Sequence, residues 1–180
     1  MSQAPPPGNP QSLHAPWRQG YIESLGDKQP ASVSFLLDYW QHPELDEANH
    51  VVMRSDQGMI LLNKFPYTGG HLLVALGEPR PELLDYDASQ RAELWRLTDL
   101  AAELMKLAVN PQGINIGINQ GRAAGAGLPT HLHVHLVPRW QGDVNFLHVV
   151  GHIRVISSSL DVMAARYRAA WAARRPTWSN

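Results

Sequence analysis

The stretch "PTHLHVHLVPRW", residues 129–140, decides how the rest of the chain is read. His131, His133 and His135 alternate with Leu132, Val134 and Leu136. Side chains on a β-strand alternate between faces, so the three imidazoles share one side of a short strand and the apolar residues share the other. At a rise of about 3.3 Å per residue, successive histidines stand roughly 6–7 Å apart along the strand. One face packs into a core; the other carries polar chemistry.

Three readings compete for such a strand. The histidines can be satisfied structural or surface residues. They can form part of a metal site, since imidazole is a common zinc ligand. Three successive same-face positions converge poorly on one ion, however, and the chain has no cysteine to complete a site. The third reading is an imidazole nucleophile flanked by hydrogen-bonding partners. A neutral, fixed imidazole attacks phosphorus and forms a covalent intermediate, while neighbouring donors hold the charge that builds on oxygen.

The residues just upstream favour the third reading. "NQGRAAGAG" (119–127) places Gly121, Gly125 and Gly127 before the strand. Such a loop offers backbone N–H groups to an anion and allows close approach. It lacks the Gly-Lys-Ser/Thr ending of a P-loop and any G-x-G-x-x-G. Asn119 adds an amide suited to ribose or phosphate oxygens.

The remainder of the chain reads as an α+β domain. "HVVMRSDQGMILLNKF" (50–65) has two apolar runs around Ser55–Gly58, a hairpin signal. "GGHLLVAL" (69–76), "GINIGIN" (113–119) and "HLHVHLVP" (131–138) supply three more strands, with Pro138 expected to end the last. Ala88 to Val109 carries Leu94, Leu97, Ala101, Leu104 and Ala108 at helical spacing, with Ser89 as expected N-cap and Asn110-Pro111 as stop. A C-terminal helix is expected over Ser159–Ala173, and "SVSFLLDYW" (32–40) as a short helix or turn. Hairpins plus one long crossing helix imply a mainly antiparallel sheet with helices on one face, although the helix can also link parallel strands. The Pro-rich residues 1–12 read as a tail, 13–175 as one domain and 176–180 as a second tail.

With 180 residues and 44% hydrophobic composition, the chain buries a sizeable core. A net charge of −1 gives no global attraction to nucleic acid or anionic membrane, so anion binding must be local. No run approaches the roughly 20 apolar residues of a membrane span. The start has neither the basic nor the apolar segment of a signal peptide, and a cytoplasmic protein is expected.

His131-Leu132-His133-Val134-His135-Leu136-Val137 resembles the motif of the histidine triad (HIT) superfamily, His-φ-His-φ-His-φ-φ with φ apolar. "NKFPYTGGHLLV" (63–74) is similar to a second block of that family, Asn-x-x-Pro-x-x-x-Gly-His-x-Leu-Val. The resemblance implies a HIT-like α+β fold, usually a homodimer, with a nucleotide bound through its α-phosphate at the triad. It implies His133 as nucleophile, with His131 and His135 bonding the phosphate or leaving oxygen and His71 completing the set. Asn63 is placed on the ribose, Asn119 near the ribose or phosphates, and the backbone of Gly125, Ala126, Gly127 and Leu128 around the phosphates. "PRWQGDVNF" (138–146), with Trp140 as a further nucleotide contact, looks most like the branch acting on dinucleoside polyphosphates, especially bacterial diadenosine tetraphosphate phosphorylases. The favoured activity is therefore phosphorolysis to ATP and ADP. The alternatives are a dinucleoside polyphosphate hydrolase, a nucleoside phosphoramidase, or a nucleotide sensor without turnover.

Three departures from the family pattern matter, one being Leu128, near where the dinucleoside triphosphate hydrolases carry a glutamine. Many relatives carry a Cys-x-x-Cys zinc pair where this chain reads Ser32-Val33-Ser34-Phe35, so no bound metal is expected; magnesium enters only with the polyphosphate. Some phosphorylases have a serine in the glycine loop where this chain reads Gly125-Ala126-Gly127.

Overall fold

The computed structural model describes residues 34–143 and 158–175. The expected tails, at 1–12 and 176–180, lie outside them. A short helix α1 (Phe35–Gln41) leads through a 3₁₀ turn at Pro43–Leu45 to the hairpin β1 (Val51–Arg54) and β2 (Gly58–Leu62), then β3 (Leu72–Leu76). The long helix α2 (Ala88–Val109) follows, then β4 (Gly113–Ile118), β5 (His133–Arg139) and α3 (Leu160–Arg174).

The five strands form one antiparallel sheet in the order β1-β2-β3-β5-β4. The long helix joins β3 to β4, which point the same way but are not neighbours. β5 fills the gap between them and runs antiparallel to both. The histidine strand thus lies inside the sheet, paired on both edges.

The two sheet faces are covered differently. Of the expected stripe on α2, Leu94, Leu97, Ala101 and Leu104 are buried and Ala108 is half-buried, while Leu100 and Met105 are buried beside them. They pack on Ile60, Leu62, Leu72, Val74, Val134 and Leu136, and α3 adds Met163, Ala164 and Tyr167. The opposite face holds a smaller cluster of Leu36 from α1 with Val51, Met59, Leu61, Leu73, Ala75 and Leu128. α1 therefore covers the β1–β3 part of that face, and the histidines of β5 occupy what remains.

Three local expectations are corrected. The N-cap of α2 is Asp87, not Ser89: Asp87 accepts from the Gln90 N–H and the Gln90 side chain accepts in return from the Asp87 N–H. This reciprocal pair satisfies two orphan donors of the first turn, which Ser89 inside the helix cannot do. At the other end Asn110 takes the left-handed conformation, φ 44°, that closes the helix. The strand of histidines starts at His133, leaving His131 outside it, and it runs through Pro138, which pairs with Ile114. Ser159 does cap the last helix, through its side chain and the Val162 N–H.

Gly58 shows how closely β2 and β3 approach under α2. A Cβ at this position would stand 2.7 Å from the Ala75 carbonyl oxygen and 2.8 Å from Leu97. Backbone of a central strand cannot move aside cheaply. Gly58→Ala is expected to cost about 1–3 kcal/mol of stability, read as a lower denaturant midpoint with an unchanged m-value. A midpoint equal to that of the unsubstituted chain would show that the sheet relaxes freely there.

Candidate active site

β3 and β5 position the histidines. On the face opposite α2, His133 stands across from Ala75, and His135 lies between Leu73 on β3 and Gly117 on β4. The small residues Ala75 and Gly117 leave room beside the rings. The His133 and His135 ring centroids are 4.8 Å apart.

Each imidazole has its hydrogen placed by the protein. His133 Nδ1 lies 2.9 Å from the His131 carbonyl oxygen. A carbonyl only accepts, so the proton is on Nδ1 and the Nε2 lone pair is left outward-facing. His71 Nδ1 accepts from the Tyr67 backbone N–H at 3.2 Å and faces Asn63 Nδ2 at 3.3 Å. Its proton is therefore on Nε2, which donates to His135 Nδ1 at 3.0 Å. His135 in turn carries its proton on Nε2. One ring presents a lone pair and its neighbour presents a donor.

His131 behaves differently. It is fully buried. Its Nε2 donates to the Leu76 carbonyl at 2.7 Å, and its Nδ1 accepts from the Ser34 hydroxyl at 2.8 Å. Both nitrogens are spent inside the protein, so the ring is turned inward and not toward a ligand as the resemblance implies. The reason is topological: His131 precedes the paired part of β5, and strand alternation no longer governs its side chain. The Ser34 hydroxyl both caps α1 through the Leu37 N–H and holds His131. The donor set does not suit zinc. The chain has no cysteine, and among the described residues no group of three or more His, Cys, Asp or Glu side chains is placed to hold a metal ion.

Burial keeps the cluster neutral. Desolvation pulls the pKa of His131 and His133 below the ordinary imidazole value. Desolvation, then the neighbouring His133, pulls His135 down to about 4. The cluster holds a nucleophilic lone pair at neutral pH without needing a base to create it.

The other expected residues divide. Asn63 and His71 belong to the cluster: the Asn63 amide joins His71 and also accepts from the Phe65 N–H. Asn119 follows Ile118, which pairs with Val134, so it leaves β4 next to His133. Leu128 is buried in the α1-side cluster, so only its backbone can face a ligand. Gly125 has φ 87°, which explains that glycine by conformation, but Gly117 and Gly127 have neither a positive φ nor any atom within 4 Å of a Cβ. No contact among the described residues requires glycine at those two positions. Trp140 is not among the histidines. It follows the far end of β5 and borders a cleft with Thr68, Gly69 and Met163.

Sequence reasoning missed Ser34, the Leu76 carbonyl and Tyr67. The Tyr67 ring stacks 6.0 Å from that of His135 and 4.8 Å from that of His71. An aromatic three residues before Gly70-His71 was the available signal.

Comparison with known proteins agrees with this geometry. The HIT domain family model matches residues 44–142. The AP-4-A phosphorylase of Mycobacterium tuberculosis is 38% identical over 153 residues, 83% of this chain and 78% of that protein. The asymmetrical bis(5'-nucleosyl)-tetraphosphatase of Schizosaccharomyces pombe is 30% identical over 95 residues, 53% of this chain and 52% of that one. Among solved structures, a zinc-bound histidine triad family protein from Mycobacterium smegmatis superposes with a TM-score of 0.63 at 24% identity, covering 78% of this chain and 96% of its own. The fold and the paired histidines are those of a histidine triad protein. The chain belongs to the HIT domain family.

The neutral cluster has a consequence for stability. A histidine whose folded pKa is lowered binds fewer protons when folded than when unfolded. Its stabilising contribution is full above the unfolded value of 6.5 and declines as pH falls from there toward about 4. The melting temperature is expected to drop across that window and to do so less steeply in His135→Asn. Parallel pH profiles for the two proteins would show that His135 titrates as an ordinary exposed imidazole.

Proposed function

We propose that this chain cleaves dinucleoside polyphosphates by two-step nucleotidyl transfer, with diadenosine tetraphosphate and inorganic phosphate yielding ATP and ADP. One observation carries the reading: the bond from His133 Nδ1 to the His131 carbonyl commits the Nε2 lone pair to the open face. In the first step Nε2 forms a bond to the α-phosphorus while the bond to the bridging oxygen breaks. The leaving ATP takes that electron pair. His135, with its proton on Nε2, donates to a phosphate or leaving oxygen as charge develops. In the second step an oxygen of inorganic phosphate attacks the same phosphorus, His133 leaves with its lone pair restored, and ADP departs.

His131 acts through its backbone carbonyl and His71 by holding the tautomer of His135. Asn63 retains one amide hydrogen and one lone pair for ribose, and Asn119 with the backbone of residues 125–128 faces the phosphates. Trp140 is assigned no contact with the reacting phosphate. Phosphate as acceptor is supported by the 38% identity to AP-4-A phosphorylase across most of both chains. Magnesium accompanies the polyphosphate as part of the substrate. A homodimer is supported by β4, an edge strand in the sheet order whose Ile116 is 48% exposed. No helix among the described residues is long and apolar enough to cross a membrane, and we place the activity in the cytoplasm. Residues 13–175 form the working domain, a reading supported by the family match at 44–142.

Product analysis tests the assignment. With saturating phosphate the unsubstituted protein should release ATP and ADP from diadenosine tetraphosphate. His133→Ala should bind nucleotide but lose turnover by about three orders of magnitude or more, as for other covalent catalysts. ATP and AMP without ADP would make water the acceptor, and an active His133→Ala would remove the mechanism altogether.

A further inference from the structure

The loop between β4 and β5 has one charged side chain. From Gln120 to Thr130 it reads "QGRAAGAGLPT", and only Gln120, Arg122 and Thr130 carry polar groups. Gln120 is used structurally: its Oε1 accepts from the Leu83 N–H. The Arg122 side chain is exposed and, among the described residues, has no ion-pair or hydrogen-bonding partner.

Among the described residues Arg166 and Arg175 share this on and after the last helix, while seven other arginines are engaged. Arg54, Arg80, Arg96, Arg139 and Arg174 each sit on a carboxylate. Arg91 and Arg168 are bonded to backbone carbonyls. Arg122 rides on a loop anchored at both ends beside His133. At one end Ile118 pairs with Val134. At the other Leu128 is buried in the cluster that contains Ala75, the residue across from His133. Between these anchors, Gly121, Gly125 and Gly127 leave open space where a Cβ would be.

We infer that Arg122 binds the phosphates beyond the scissile one: the leaving polyphosphate in the first step and the incoming inorganic phosphate in the second. The inference rests on the nucleotidyl transfer proposed above. In both steps the oxygen that leaves or enters lies in line with, and opposite to, His133 Nε2, so one cation serves both anions. A guanidinium offers a planar fork of donors matched to phosphate oxygens. It also supplies the local charge that the chain's net charge of −1 does not. The loop has no hydroxyl between Gly121 and Leu128 to do this work, which leaves Arg122 as its sole anion-binding side chain.

The test compares ligands with and without outer phosphates. By calorimetry without divalent metal, the unsubstituted protein should bind ATP at least about tenfold more tightly than AMP, the difference expected of one charge-assisted contact. Arg122→Ala should remove that preference while AMP affinity stays within about twofold, and Arg122→Lys should restore part of it. In kinetics, Arg122→Ala should raise KM for diadenosine tetraphosphate and for phosphate. It should leave kcat/KM for the 4-nitrophenyl ester of AMP, whose leaving group has no phosphate, nearly unchanged. An intact preference for ATP in Arg122→Ala, or equal losses for ATP and AMP, would overturn the inference. An Arg122-dependent preference for ATP in a protein that never cleaves diadenosine tetraphosphate would sink the nucleotidyl-transfer reading and keep the phosphate contact. Cleavage with unaltered KM values in Arg122→Ala would do the reverse.

Discussion

The hydrogen bond from His133 Nδ1 to the carbonyl of His131, two residues back in the same chain segment, sets the chemistry of the whole face. Because its acceptor is a carbonyl, it fixes the tautomer and the ring plane together. It requires that His131 stay outside the paired part of β5, where its carbonyl has no strand partner to satisfy. That in turn requires the inward anchoring of the His131 ring by Leu76 and Ser34. A helix N-cap, a β3 carbonyl and one buried imidazole therefore act as a single support for a lone pair on the next histidine.

The same economy explains why the site lies on this face and this end of the sheet. α2 and α3 need one face of all five strands for the main core. α1 covers the β1–β3 portion of the other face with a seven-residue helix. The β5–β4 portion is left to polar groups, with Gly117 on β4 and Ala75 on the adjoining β3 as the small residues beside the histidines. A buried neutral imidazole costs less than a buried charge, so the lowered pKa values are the outcome of packing the rings between strands. Reactivity here comes from fixing where the hydrogens sit.

Much of this was legible in the sequence, for identifiable reasons. The boundaries of α2 followed from its apolar period and its Asn-Pro stop, and the hairpin from its turn residues. The triad and the Asn63–Val74 block marked the family because chemistry, not packing, dictates those residues. The part played by His131 was not legible, since period-two alternation places it with its neighbours only if the strand extends that far. Nor were its partners: Ser34 lies 97 residues away and Leu76 contributes a backbone atom, which no residue type announces. Asp87 was passed over as a cap because Ser89 also fits the pattern, and only the reciprocal bond to Gln90 separates them. Trp140 belongs to a resembling stretch, yet the direction of β5 carries it away from the histidines.

The central claim is that His133 Nε2, and no other atom, becomes bonded to phosphorus. The direct measurement is a rapid mix with diadenosine tetraphosphate, quenched in alkaline denaturant where phosphorus–nitrogen bonds persist, followed by peptide mass analysis and phosphorus NMR of the modified peptide. The account predicts one adenylyl group per chain on His133, joined through Nε2, and none in His133→Ala. Turnover without any adduct, or an adduct on His131 or His135, would contradict it.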